Sequence, residues 1–260
     1  MARTSVAALL FFALLERSVS QPIADSLYSQ KASPDATPYV LAGAAVTTAI
    51  LIANDQQIHD DVIDWKRRSP LLQDLSPKVT LVGSYGVPAA FSGLLAYGYL
   101  TKRGKEMRVG ILGLESFVVT GIAGQVVKRL LSRERPFVAT RPGGFWHGPS
   151  LYFRKPADPN TQSYDSFPSG HTTSAFSAAA TLSDEYDTPW LTYTSYTVAT
   201  LVAISRVMEN MHWASDCVAG AVLGIYGAKF VRHLNNSYSS INILPRADAA
   251  GYGLILCIRM

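Results

Sequence analysis

The chain has 260 residues, with 48% hydrophobic, 16% charged and a formal net charge of +4. That length buries one sizeable core, and the dispersed basic residues form no block, which excludes a nucleic-acid footprint. Cys217 and Cys257 offer no zinc spacing. Cys217 lies in an apolar helical run and reads better as a buried free thiol than as half of a disulfide.

Residues 1–20 read as a secretory signal. Arg3 and the amino terminus form the positive region, Val6 to Leu15 the apolar stretch, and Ser18-Val19-Ser20 the small residues before a cut at Gln21. Residues 21–38 are a polar lead-in. Six apolar runs follow, at 39–53, 79–100, 109–127, 172–183, 188–204 and 217–231. Between the first two, Asn54 to Pro77 is polar and charged around Ile58, Ile63, Trp65, Leu71, Leu72 and Leu75, the pattern of surface helices with one buried stripe. Lys102, Arg103, Lys105 and Arg108 make a basic turn before the third run. Ala, Gly, Ser and Thr crowd the runs, which lets helices approach closely. Strand signals are confined to the tail, where Tyr252, Leu254, Leu256 and Ile258 share one parity. The expectation is an all-α bundle of about six core helices over 39–234, with a short C-terminal β-hairpin within a tail at 235–260.

Two of the runs, 79–100 and 109–127, are long enough to cross a bilayer, which takes about 20 residues. Glu115 and Gln125 interrupt the latter, and the mean hydropathy of +0.13 is low for a polytopic protein. With the signal removed and runs one to three spanning, Lys102–Arg108 lies outside, against the positive-inside rule. The sequence therefore favours core helices of an exported periplasmic or envelope protein, associated with the membrane or soluble, over an integral membrane protein.

Three stretches carry chemistry. Lys128 to Phe137 closes the third run with Lys128, Arg129, Arg133 and Arg135-Pro136, which alone reads as a solvated basic helix end. Ser166-Phe167-Pro168-Ser169-Gly170-His171 opens the fourth run with Ser169 at the N-cap. A helix start also presents free N–H groups to an anion, and Gly170 lets a ligand approach the backbone. The third stretch, Ser205 to Asp216, holds Arg206, His212 and Asp216. The i, i+4 spacing of the last two brings Asp216 within reach of the His212 ring, where a carboxylate on one nitrogen sharpens the other as nucleophile or base.

Together, Lys128-x6-Arg135-Pro136, Pro168-Ser169-Gly170-His171 and Ser205-Arg206-x5-His212-x3-Asp216 resemble the signature of the type 2 phosphatidic acid phosphatase family. Bacterial class A acid phosphatases and vanadium haloperoxidases share that superfamily. The resemblance covers about 109–234, the motif-bearing core, and its implications follow. Lys128, Arg135 and Arg206 hold phosphate oxygens at one end of the bundle, with Ser169 and the Gly170 N–H beside them. His212 is similar to the nucleophile that forms a phosphohistidine, Asp216 orients it, and His171 protonates the leaving oxygen. Three fixed cations neutralise the phosphoryl charge, so neither metal nor cofactor is called for. The implied activity is metal-independent hydrolysis of a phosphomonoester or pyrophosphate, soluble or on a lipid. A haloperoxidase and a non-catalytic envelope scaffold are the rival readings. His59, His147 and His233 read as ordinary surface or loop histidines, and the aromatic loop at 138–165 as either a lid or a self-packed connection.

Overall fold

The computed structural model describes residues 37–149, 161–237, 241–248 and 251–258. The helices are α1 (Thr37–Arg67), α2 (Pro70–Leu81), α3 (Val87–Thr101), α4 (Gly104–Leu131), α5 (Gly170–Tyr186), α6 (Pro189–Met208) and α7 (Ala214–Ser237). Strands β1 (Ile241–Asp248) and β2 (Gly251–Ile258) then form an antiparallel hairpin. The expected helical bundle and hairpin therefore both form. The polar stretch after Ala53 does not break the first helix, because α1 runs on to Arg67 and buries Asp55 and Ile58.

Local chemistry sets the helix boundaries. Ser69 caps α2 by accepting the Leu72 N–H at 3.4 Å, with Pro70 in the first turn. A π-helical turn, Val82–Gly86, joins α2 to α3. Pro88 has no N–H to return to the preceding turn, and the wider π turn accommodates that loss. Gly83 in this turn lies against the start of α5, where a Cβ would stand 2.9 Å from the His171 carbonyl oxygen.

Helix α5 lies at the centre, packed by α4, α6 and α7 around Ala175, Phe176, Ala179 and Ala180. Its close contact with α7 depends on Gly224, where a Cβ would sit 2.3 Å from the Thr173 carbonyl oxygen. The C-terminal ends of α4 and α6 and the N-terminal ends of α5 and α7 meet at one end of the bundle. The opposite end is tied by Arg108, which donates to Glu185 at 3.1 Å and to Asn236 at 2.8 Å. Of the expected basic turn, only Lys102 and Arg103 lie outside helices.

The outer faces are apolar. Val46 and Ile50 of α1, Val118, Ile122 and Val126 of α4, and Leu201 of α6 are exposed. Tyr97, Tyr99, Trp190, Tyr193 and Phe230 are exposed near the end away from the four converging termini, like the aromatic belt of a membrane interface. Among the described residues, four helical segments are long and apolar enough to cross a membrane: Thr37–Arg67, Pro70–Thr101, Gly104–Leu131 and Ala214–Asn236. In the first two, only 11% and 17% of the apolar window is buried by the protein itself. Water would make so large an apolar surface an aggregation liability, so membrane association is the reading the structure carries. The sequence leaned towards core helices because the runs look alike whether protein or lipid covers them. The expected signal, residues 1–20, lies outside the described residues.

The protein is expected to stay with the membrane fraction through high salt and alkaline carbonate and to enter solution only in detergent. Release by carbonate alone would show that its apolar faces are covered in some other way.

Candidate active site

At the end where the four termini converge, the three cations singled out in the sequence lie buried together. Lys128 is in the last turn of α4, Arg135 follows in the next segment, and Arg206 is in the last turn of α6. The Asp165 carboxylate takes Nε and Nη2 of Arg135 at 2.9 and 2.7 Å, while its main-chain carbonyl accepts from the Lys128 ammonium. Among the described residues, Arg206 has no carboxylate at bonding distance. Its Nη1 reaches the Thr80 hydroxyl at 3.4 Å, and its buried Nε has no partner among the described residues. A buried guanidinium N–H left unpaired is costly and marks a place where an acceptor is missing. The Lys128 ammonium is buried, unlike the solvated helix end that its own stretch would suggest when read alone.

The two motif histidines stand against these cations. His171 is the second residue of α5, half-buried. Burial, then the charges of Arg206, Arg135 and Lys128, lower its pKa to about 4. His212 is almost fully buried in the turn between α6 and α7. Burial, the largest effect, and the charges of Arg135 and Lys128 hold its pKa well below the ordinary value against the opposing pull of Asp216. Both rings are therefore neutral near pH 7. Ser169 occupies the N-cap of α5 but makes no cap bond; its hydroxyl accepts from Thr172 at 2.9 Å. A Cβ built on Gly170 meets open space. A groove of about 260 Å³ starts beside Lys128, Gly170 and His171 and runs along Phe117, Thr120, Gly121 and Gly124.

The expected His212–Asp216 hydrogen bond is not made. His212 precedes α7 rather than lying on it, and its Nδ1 is 3.7 Å from the nearer Asp216 oxygen. Nδ1 instead donates to the Ser166 carbonyl oxygen at 2.8 Å. Asp216 holds this arrangement from below. Its Oδ2 accepts from the Ser166 hydroxyl at 2.5 Å and the Trp213 N–H at 2.8 Å, the latter half of a capping box at the start of α7. Its Oδ1 accepts from Arg133 at 2.6 Å. A carbonyl can only accept, so it fixes the proton on Nδ1 and leaves Nε2 with its lone pair.

Arg133 and Asp55 were not singled out as site residues. Arg133 is fully buried, sandwiched between the rings of Trp146 and Trp213 at 4.7 and 5.5 Å, and bonded to Asp55 of α1 at 2.7 Å. The Gly143 carbonyl oxygen takes its Nη2 at 2.6 Å, which the left-handed turn at Gly143 and Gly144 allows. Within the same loop Glu134 accepts the Thr140 and Phe145 N–H groups and pairs with His147 at 3.0 Å. Burial raises the Glu134 pKa, but these bonds outweigh it and bring it below the usual value. The described part of the loop is thus packed upon itself; Tyr152 and Phe153 lie outside the described residues. His59 bonds Asn210 at 2.7 Å, as an ordinary structural histidine does.

Comparison with known proteins fits this arrangement. The PAP2 superfamily model matches residues 110–238. An undecaprenyl-diphosphatase of Sulfolobus acidocaldarius is 30% identical over 158 residues, 54% of this chain and 69% of that protein. The chain belongs to the PAP2 superfamily. A lipid A 1-phosphatase of Porphyromonas gingivalis is 45% identical over 69 residues, 26% of this chain but only 16% of that protein's length. The fold resembles the crystal structure of a transmembrane PAP2-type phosphatidylglycerolphosphate phosphatase from Bacillus subtilis. The TM-score is 0.53 at 20% identity, over 89% of this chain and 96% of the other. The cationic end of the bundle lies within the matched segment, whereas Asp55, which anchors Arg133, lies outside it.

Because His171 and His212 bind protons less readily folded than unfolded, acid favours the unfolded state. Their contribution to stability is complete above the ordinary His value of about 6.5; that of His171 is lost as pH falls towards about 4, and that of His212 is lost in the same direction. The thermal midpoint of the detergent-solubilised protein should fall between pH 7 and 5, and His171→Gln should flatten part of that fall. A midpoint independent of pH, or rising as pH drops, would contradict this.

Proposed function

We propose that this PAP2 protein is a phosphatase that hydrolyses a lipid-linked phosphomonoester or diphosphate through a phosphohistidine at His212. The observation that carries the reading is the buried Nε of Arg206, unpaired among the described residues, beside Lys128 and Arg135. Such a cluster lacks an anion with several acceptor oxygens. A phosphoryl group supplies them, and Arg and Lys stabilise the charge that spreads over its equatorial oxygens in the transition state. Ser169 and the Gly170 N–H at the start of α5 add donors to the same group.

In this reading Nε2 of His212 attacks phosphorus and the bond to the leaving oxygen breaks. His171 gives that oxygen a proton, then takes one from the water that cleaves the phosphohistidine. Neutral His212 suits a nucleophile. Neutral His171 does not at first suit an acid; burial is the larger cause of its low pKa, but the cations that add to it are those the phosphate neutralises. Its proton affinity therefore rises as substrate binds. The lipid part of the proposal rests on the apolar outer faces and on the groove leading away from Lys128 and His171 between α4 and α5. Relatives named for lipid A and undecaprenyl diphosphate point the same way.

The test separates the two histidines. His212→Ala should abolish turnover of every substrate. His171→Ala should matter in proportion to how badly the leaving oxygen needs a proton, so an alkyl phosphate should lose about 10²–10⁴-fold more than p-nitrophenyl phosphate. Equal losses on both substrates would remove His171 as the acid, and turnover surviving in His212→Ala would remove the nucleophile.

A further inference from the structure

Asp55 and Arg133 form a buried ionic pair that the proposed reaction does not use directly, yet it ends on the residue that supports the nucleophile. Arg133 is fully buried and bonds carboxylates on two different helices, Asp55 of α1 at 2.7 Å and Asp216 of α7 at 2.6 Å. The Ser215 hydroxyl closes the arrangement, donating to Asp55 at 2.5 Å and accepting from Arg133 at 2.7 Å, while Asp55 also takes the Ser215 N–H at 3.0 Å. Every oxygen of the two carboxylates is engaged. The two rings over Arg133 leave it little freedom to turn. From Asp216 the sequence of contacts continues through the Ser166 hydroxyl to the Ser166 carbonyl, which holds Nδ1–H of His212.

We propose that Asp55 and Arg133 are positioning residues for His212, acting through Asp216 and Ser166. Asp55 holds one edge of the Arg133 guanidinium so that the other edge meets Asp216. Asp216, so fixed, grips Ser166, and the Ser166 carbonyl sets both the tautomer and the aim of the His212 ring. Helix α1 thereby becomes part of the working site although it carries none of the motif residues. Partners one layer removed from a reacting group commonly matter by about 10–100-fold. A full ionic pair is costly to desolvate and is a weak source of stability, so its placement against the site motifs is better explained by the order it imposes there.

This inference rests on His212 being the nucleophile, and the experiment distinguishes the two. Activity on p-nitrophenyl phosphate is measured for Asp55→Asn, Ser166→Ala and the double variant of the detergent-solubilised protein, with His212→Ala alongside. Asp55→Asn leaves Arg133 paired with Asp216, and Ser166→Ala keeps the main-chain carbonyl, so no variant strands a buried charge. Each single change should lower kcat by about 10-fold or more with KM nearly unchanged. In the double variant the loss should match that of Ser166→Ala alone within about twofold, because the route from Asp55 is already cut. Losses that multiply would show that Asp55 only docks α1, and an unchanged kcat in Asp55→Asn would show that it does nothing for His212. Either result overturns the proposal while leaving the nucleophile in place. Turnover surviving in His212→Ala would overturn the nucleophile itself. If Asp55→Asn does not fold, Ser215→Ala keeps all three charges and removes the hydroxyl bridging Asp55 and Arg133. Its smaller kcat loss should likewise vanish in the Ser166→Ala background, and multiplication there counts against the proposal.

Discussion

Arg133 is the interaction around which the site end of the molecule is assembled. A guanidinium shut away from water is tolerable only with its donors satisfied. Meeting that demand draws Asp55 of α1, Asp216 of α7 and the Gly143 carbonyl of the α4–α5 loop to one point. The flanking Trp146 and Trp213 rings do the same for the loop and the α6–α7 turn, and Trp213 also donates to the Glu134 carbonyl at 2.9 Å. One side chain therefore registers three parts of the chain that are far apart in sequence. Partial satisfaction would be worse than an apolar core at this place, since unmet hydrogen bonds in a dry interior carry their full cost.

The cations above this layer behave in the opposite way. Lys128 and Arg135 share one carboxylate, Asp165, and among the described residues Arg206 is left with an open N–H. One layer is complete and rigid, the other is short of acceptors, and His212 sits at their boundary. Helix α5 brings its free first-turn N–H groups to the same place, made possible by the close passage of α7 at Gly220 and Gly224. Burial first, and then the charges of this unfilled layer, depress the proton affinities of His171 and His212. An anion would relieve repulsion, complete hydrogen bonds and raise the proton affinity of His171 in one step. In the proposed reaction, binding and the first proton transfer are coupled for that reason.

Much of this was legible in the sequence. The apolar runs marked the helical segments by their length, and the resemblance of the three motifs to the family signature pointed to Lys128, Arg135, His171, Arg206 and His212 as residues that meet. Arg133 and Asp55 were hidden because each has an ordinary local setting. Arg133 lies in a basic stretch that resembles a solvated helix end, and Asp55 sits in a polar segment that reads as surface. Their meaning lies in a contact spanning 78 residues, which no periodicity records. The spacing of His212 and Asp216 suggested a direct bond. The turn places His212 off the helix, so the acceptor is a main-chain carbonyl, a group every residue carries and no side-chain pattern reveals. Lipid exposure was equally hard to read, since α1 and α4 offer apolar side chains to both the core and the outside.

The claim that a carbonyl-held Nδ1–H leaves Nε2 of His212 to attack phosphorus can be put to one direct measurement. The phosphoenzyme formed from labelled p-nitrophenyl phosphate would be trapped by rapid quench in base, where phosphohistidine survives. Peptide mapping and ³¹P NMR would then identify the modified residue and ring nitrogen. Phosphate on Nε2 of His212 is the predicted result. Phosphate on Nδ1 of His212, or on any other residue, would contradict the account.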